Sequence, residues 1–572
     1  MACYNNPMGK APTKKKLSVN EVLCNSDRQE NELRPSEESQ LKGNLLGTTS
    51  IISFFPIFII ILLCCVSYYN ALFNDFVSDD YHQILNNPLI RDIRNIPAIF
   101  STNVWAFQQG HLSNYYRPMM HVIYLLNYQI IGLKPFGYHL VNIVFHCGVS
   151  VILFLFIRRL LADHQGAASS LSLSPPFIAA LLFSSHPIHT EAVSWIASLP
   201  EVAFTFFYLL SLYQYILFRE GDNKSYLFSI LSFLAASLFK ETALTLPIML
   251  VAYDHLFRKS DKRILRSIET YIPYLAVAGV YLLARYYVLG SLSPMDFYGD
   301  MSTYELIINV FPLFRDYLSS LLWPFNLNFW HTFYPIRSIF EAKGLISAAV
   351  TLIYLIVAAA AYRKNKVFFF SLLLVVIPLL PVLFIQKISG KPFAERYLYL
   401  PSAGYVVILA VFLSWVKKKL PDAVTSISVV FIVIVGIYTV GTVSRNNVWK
   451  NAISLWSDTV RKSPDSAQAH YDLGIAYASG GRIDEAIKEY ESALDIDPFQ
   501  SANLYLALGL AYDQQNRSDE ALEMYKIALS VEPNSRIHKA LGDAYAKRGL
   551  TDYARYHYEE ASKLSEAYWA RR

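Results

Sequence analysis

Eleven apolar runs of about membrane-spanning length, separated by short polar or basic stretches, constrain this chain more than any other feature of it. Backbone amides in lipid find no water to bond, so a run of about 20 apolar residues must close its hydrogen bonds within itself as a helix. The runs fall at 51–69, 138–160, 175–195, 199–218, 225–239, 241–257, 270–290, 345–362, 367–386, 397–415 and 424–443. A hydrophobic fraction of 54% and a mean hydropathy of +0.29 place most of the 572 residues in lipid. The expected fold class is all-α, a polytopic bundle of about 11 spans followed by a different, more polar domain.

Two further stretches, 117–133 and 303–323, are interrupted by Arg, Asn, Asp or Pro. Lys and Arg near span ends concentrate on the cytoplasmic side, and this decides the status of both stretches. If neither crosses, Lys14 to Lys16, Arg158 with Arg159, Arg219 with Lys224, Arg258 to Arg266, Arg363 to Lys366 and Lys417 to Lys419 all face the cytoplasm. Both are therefore read as helices lying at the outer membrane surface. Residues 1–48 read as a disordered basic and polar cytoplasmic tail, and 51–69 as a retained span with no cleavage pattern after it. The expected transmembrane domain covers 49–444, with a first outer loop at 70–137. An odd number of spans puts residues 445–572 outside the cytoplasm.

A net charge of +5 is small for this length, and the basic residues form short separated clusters, so nucleic acid is not an expected partner. Five cysteines, two in the tail and three in apolar runs, form no disulfide framework or metal spacing.

After Arg445 a motif recurs: Leu473, Gly474, Tyr477, Ala486, Tyr490, Ala493, Pro498, then Leu508, Gly509, Tyr512, Ala521, Tyr525, Ala528, Pro533. Leu541, Gly542, Tyr545, Ala554, Tyr558 and Ala561 open a third copy, so the glycines lie 35 and 33 residues apart. That period is the signature of tetratricopeptide repeats (TPRs), whose paired helices approach over small residues and stack into a solenoid. Ala452, Trp456 and Pro464 match half of one more repeat, which makes about 3.5 and leaves no linker after the last span. The array reads either as a concave groove for an extended peptide or as a stabilising or dimerising cap.

Polar residues collect at the outer ends of the spans. Asp79 and Asp80 follow the first span within the run Asn74-Asp75-Phe76-Val77-Ser78-Asp79-Asp80-Tyr81, as a candidate site or a solvated acid pair. His186, His189 and Glu191 close the third run; the two histidines are one helical turn apart, open to substrate hydrogen bonding, interfacial packing or, with further ligands, metal. Arg117, Lys240 with Glu241, Arg285, Lys391, and Glu395 with Arg396 and Tyr397 place cations against the positive-inside bias. Cations in that position hold an anion, pair with the acids, or anchor the interface.

Phe76 to Asp80 with Asn86-Asn87-Pro88, Arg117-Pro118, Gly132-Leu133 leading to Gly137-Tyr138-His139-Leu140-Val141-Asn142, His186 to Val193, Lys240-Glu241 and Glu395-Arg396-Tyr397-Leu398-Tyr399-Leu400-Pro401-Ser402 together resemble the transmembrane and TPR-containing O-mannosyltransferase family. The resemblance runs from about residue 70 to 565 and includes the order of membrane domain and repeats. This family belongs to the GT-C glycosyltransferases, which use a lipid-linked sugar and an acidic motif in the first outer loop. The resemblance implies transfer of mannose or a similar sugar from a polyprenyl- or dolichyl-phosphate donor to a protein Ser or Thr hydroxyl. It puts the site outside the cytoplasm, in a periplasm or an endoplasmic-reticulum lumen, with no certain cofactor and an acceptor bound by the repeats. By the same resemblance Asp79 is the general base of an inverting transfer and Asp80 orients it or the acceptor. The donor phosphate would meet Arg285, Lys391 or Arg396, because a guanidinium fork fits phosphate and stabilises the charge that grows as the glycosidic bond breaks. A lipid-linked glycan ligase and a non-enzymatic membrane anchor for the repeats are the other readings.

Overall fold

Every regular element is helical in the computed structural model, which describes residues 54–108, 113–161, 174–258, 264–296, 301–383, 391–498 and 501–570, and no strand occurs among them. The expected basic tail, and Lys259 to Arg263 of one cluster expected to face the cytoplasm, lie outside the described residues. The chain divides into two units, 1–59 and 60–572. Of the first, 54–59 are described, as the start of the helix Phe54–Phe73; apart from that helix, all that follows concerns the second.

Each of the eleven apolar runs contains helix, but eight helices among the described residues are long and apolar enough to cross a membrane: Phe54–Phe73, Pro135–Leu160, Ile196–Arg219, Ile268–Leu289, Ala342–Lys364, Lys366–Leu383, Glu395–Lys419 and Pro421–Trp449. The other three are shorter than expected. Pro175–Ser185 has 11 residues, Asn223–Phe239 17 and Leu246–Phe257 12, which at 1.5 Å per residue is roughly 16 to 26 Å against a hydrocarbon core of about 30 Å.

Proline and buried polar groups shorten them. Pro187 forces His186 into extended backbone (φ −68°, ψ 124°) and stops the helix there. The chain then runs through the turn Pro187–His189, the short helix Thr190–Ser194 and a second turn, Ile196–Ser198, before the next long helix begins. Lys240 is likewise extended (φ −158°), with the turn Glu241–Thr245 between it and the following helix. Ala394 is extended ahead of Glu395–Leu398 in the same way. At Lys240 and Ala394, then, an extended residue and a tight turn that holds an acidic side chain, Glu241 or Glu395, precede the next helix.

Small residues let the helices approach. Ser211 and Ser229 exchange hydroxyl-to-carbonyl hydrogen bonds, each 2.7 Å, across the hairpin of Leu199–Arg219 and Asn223–Phe239; such small polar contacts bind helices in lipid. Gly404 sits so close to Lys366–Val376 that a Cβ there would lie 2.5 Å from the Ser371 carbonyl oxygen. The stretches 117–133 and 303–323 form the helices Pro118–Ile131 and Thr303–Leu322, the second opened by a capping box between Ser302 and Glu305.

The repeats pair Ala467–Ser479 with Ile483–Ile496, Ala502–Gln514 with Ser518–Val531, and Ser535–Lys547 with Thr551–Ala570. In each pair a glycine faces a tyrosine ring of the second helix: a Cβ on Gly474, Gly509 or Gly542 would lie 2.4, 2.5 or 2.6 Å from Tyr490, Tyr525 or Tyr558. The half repeat Ala452–Lys462 packs directly on the rest of the chain. Leu455 and Trp456 pack in one apolar cluster with Val77 of the first outer loop, Trp195, Phe329 and Trp449. Asn328 donates to Ser463 Oγ (2.8 Å), and the Asp75 amide to the Lys450 carbonyl (2.9 Å).

Candidate active site

Segments distant in sequence converge on one open cleft. Asp79, Gln83, Trp105, Tyr115 and Arg117 come from the segment between the first two long helices, Trp195 from the approach to Leu199–Arg219 and Glu201 from its first turn, and Arg396 with Tyr397 from the turn before Tyr399–Lys419. Four aromatic faces and four charged groups therefore share one wall system, a composition suited to a sugar, whose C–H faces stack and whose hydroxyls need partners.

The two adjacent carboxylates go to different places. Ser78 adopts a left-handed conformation (φ +51°) that a serine rarely takes. The next turn is tight, with the His82 and Gln83 amides donating to the Asp79 carbonyl at 3.1 and 2.8 Å. Asp79 remains partly exposed and lines the cleft. Asp80 is fully buried: Oδ2 accepts from the Val77 amide (3.0 Å) and Oδ1 from the Ala197 amide (2.8 Å). Burial pushes its pKa well above the carboxylate range; the two amides oppose this and the Asp79 charge adds to it. Asp80 thus ties the first outer loop to the turn Ile196–Ser198.

The cations expected to run against the positive-inside bias collect near this cleft: Arg117, Arg285, Lys240 and Arg396 each lie beside a carboxylate, and Lys391 lies over aromatic rings. Arg117 forms a fork with Glu241 (Nη2 to Oε1 2.7 Å, Nε to Oε2 3.2 Å), and Arg285 lies 4.0 Å from the same carboxylate. Lys240 pairs with Glu201, both almost fully buried, and lies 4.6 Å from the Tyr397 ring. Arg396 pairs with Glu191, whose second oxygen accepts from the Arg396 amide (3.0 Å). The Arg396 guanidinium lies over Trp195 and Tyr397, 5.3 and 4.8 Å from their ring centres. Lys391 sits 4.0 Å over Trp330 and 4.5 Å over Phe329. Burial and the nearby Arg396 bring Lys391 down to about 8, against the attraction of Asp79, Glu191 and Asp472. Asp472 belongs to the first full repeat, and burial raises it to about 6.

Other expected site residues stand behind the cleft or away from it. His186 and His189 are fully buried, packed with Phe183, Tyr399 and Tyr438, and neither lines the cleft. His189 Nε2 meets the Ser402 hydroxyl at 2.7 Å, and His186 Nδ1 accepts from the Ile188 amide at 3.2 Å. They close the turn that Pro187 opens. Arg285 donates to the carbonyls of Asn114 (2.6 Å) and Leu292 (3.0 Å), holding two loops together. Glu395 turns away from the cleft to accept from the Asn328 amide and to meet His331 Nε2 at 3.3 Å. Among the described residues no three His, Cys, Asp or Glu side chains group as a metal site would require.

Sequence reasoning passed over Glu201, Trp105, Tyr115, Trp195 and Asp472. Glu201, an acid in the first turn of a span, carried the same signal as Lys240 and Arg396. Asp472 carried none, since it reads as one polar residue of a repeat helix.

A multi-pass membrane protein with a C-terminal TPR domain is the class that this fold defines. Tetratricopeptide-repeat families match residues 444–501 and 479–544. The chain is homologous to proteins named protein O-mannosyl-transferases. F38B6.6 of Caenorhabditis elegans is 28% identical over 77% of this chain and 62% of its own length; TMTC3 of Mus musculus is 25% identical over 79% and 52%. The chain therefore spans between about half and just under two thirds of these relatives. A crystal structure of MamA is 26% identical over 28% of this chain and 88% of its own, with a TM-score of 0.20.

Proposed function

We propose that this chain is an inverting GT-C glycosyltransferase that moves mannose or a similar sugar from a polyprenyl-phosphate carrier to a Ser or Thr hydroxyl of a protein outside the cytoplasm. The observation that carries the proposal is the division of labour in the acidic pair, with Asp79 open to a cleft of aromatic and cationic side chains and Asp80 buried as its support. The names of the homologues point the same way.

In this reading Asp79 takes the proton of the acceptor hydroxyl as the hydroxyl attacks the anomeric carbon, a contribution of about 10² to 10⁴ in rate. A single base suffices, because the departing phosphate needs no proton; glycosidases, by contrast, need two carboxylates. Arg396 and Lys391 receive the phosphate. Arg396 is preorganised by Glu191 and by the rings of Trp195 and Tyr397, so little reorganisation is needed as charge builds on the leaving group. Arg117 and Lys240, already paired with Glu241 and Glu201, hold the aromatic wall and orient the sugar. Asp472 and the surrounding first repeat bring the acceptor chain from the solenoid to the cleft, since the repeats pack directly beside the loop that carries Asp79.

The test is the purified full chain in nanodiscs, given polyprenyl-phosphate-[¹⁴C]mannose and a Ser/Thr-containing acceptor protein. The expected outcome is labelled protein with the anomeric configuration opposite to that of the donor. Label that stays on the lipid, or retained configuration, refutes the reading. Eight crossings would return the repeats to the side of the tail and eleven would not. On the eleven-span reading a glycosylation or reporter tag after Ser444 is expected on the extracytoplasmic side, and a cytoplasmic signal refutes that reading.

A further inference from the structure

A second open cavity lies where the last spanning helix, Val424–Asn446, meets the half repeat Ala452–Lys462. Its polar lining is Ser444, Arg445, Asp458, Arg461 and Lys462. Asp458 is the hub: Oδ2 accepts from Arg445 Nη1 and from Lys462 Nζ (2.8 Å), and Oδ1 from Arg461 Nη2. Burial pushes Asp458 up, but Arg445 and Lys462 outweigh it and keep the carboxylate ionised. Three cations against one carboxylate leave the cavity with a net charge of +2.

Arg445 carries this further. Its side chain is 9% exposed, and its Nε and Nη2 have no hydrogen-bond partner among the described residues. A buried guanidinium with two unused N–H groups on one edge of its fork is geometrically half of a bidentate oxyanion site. Exposed Arg461 and half-buried Lys462 stand at the rim to supply the rest. The opposite wall is apolar, with Pro187, Phe325 and Gly441. Trp323, largely exposed, is in ring contact with Phe325 at 5.0 Å, and indole rings collect at membrane interfaces. An anion with an apolar stem fits both walls; a free carboxylate uses one.

We propose that this cavity binds a phosphate group at the membrane boundary, the headgroup of an anionic lipid, with Arg445 as the buried fork and Arg461 and Lys462 as the outer contacts. Such a lipid would pin the half repeat Ala452–Lys462 to the membrane surface. The cavity is distinct from the cleft of Asp79, so the proposal does not depend on the transferase reading.

The full chain, purified in mild detergent, is titrated with phosphatidylglycerol and with diacylglycerol of the same chains, and binding is read by native mass spectrometry. The expected result is a tight phosphatidylglycerol adduct that diacylglycerol does not form. Arg461→Gln, at a largely exposed position and so compatible with folding, weakens it roughly tenfold, the scale of one lost charge-assisted hydrogen bond. Lys462→Gln acts in the same direction. A parallel arm adds inorganic phosphate alone: competition with the lipid at micromolar concentration assigns the site to free phosphate as well as to the headgroup. Equal binding of phosphatidylglycerol and diacylglycerol overturns the proposal. So does an adduct whose affinity is unchanged in both Arg461→Gln and Lys462→Gln.

Discussion

Replacing each member of the acidic pair by asparagine separates chemistry from support. Asp79→Asn changes a partly exposed side chain that lines the cleft, and its carbonyl, which closes the turn with His82 and Gln83, is retained. Folding should hardly change, whereas loss of the base should cost about 10² to 10⁴ in kcat, or roughly 3 to 5 kcal/mol in the barrier. Asp80→Asn has the opposite signature. One carboxylate oxygen of Asp80, itself fully buried, faces the Val77 amide and the other the partly buried Ala197 amide. An amide side chain can accept from one of them and must turn its NH₂ toward the other, leaving an unsatisfied pair that costs about 1 to 3 kcal/mol. Asp80→Asn should therefore lower the melting temperature in detergent, and Asp79→Asn should leave it in place. Sugar transfer from a polyprenyl-phosphate donor and thermal unfolding, followed by fluorescence-detected size exclusion, are measured on the same preparations. Near wild-type turnover by Asp79→Asn removes it as the base. A fall in thermal stability for Asp79→Asn as large as that for Asp80→Asn refutes the division of labour.

Arg396→Ala alone strands the Glu191 carboxylate, which is 1% exposed, and should destabilise the chain by about 3 to 5 kcal/mol; Arg396→Ala with Glu191→Gln should recover the thermal stability but not donor use, and recovery of both would take Arg396 out of the site. Lys391, held at about 8, should lose its charge as pH rises through that value, so KM for the lipid donor should climb above pH 8 in the wild type and stay low in Lys391→Arg; a flat wild-type profile refutes its contact with phosphate. Gly404→Ala drives a methyl to 2.5 Å from the Ser371 carbonyl and should cost about 1 to 3 kcal/mol of stability, whereas Gly436→Ala, in a helix interior with nothing within 4 Å, should leave stability unchanged or raise it by up to about 1 kcal/mol in the same thermal assay.

Apolar run length and repeat period were enough to read an all-helical membrane domain followed by TPRs, because lipid and solenoid stacking both impose a local pattern on the chain. The same local signals marked Asp79, Arg117, Lys240, Arg396 and Tyr397, since a charge at the outer end of an apolar run is conspicuous whatever the fold. The partner of each charge was not legible. Arg117 finds Glu241, Lys240 finds Glu201 and Arg396 finds Glu191 across helices whose order in space no periodicity records. For the same reason His186 and His189, equally conspicuous as residues, turned out to close a proline-broken turn in the interior, and Asp472, inconspicuous in its repeat, came within reach of Lys391 and Asp79. The lengths of Pro175–Ser185, Asn223–Phe239 and Leu246–Phe257 were set in the same way, by proline and by buried polar groups that needed tertiary partners. Composition and spacing determined which residues had to leave lipid; tertiary packing alone decided where each went, because an ionised or polar side chain at the membrane edge is stable only beside a partner that lies elsewhere in the sequence.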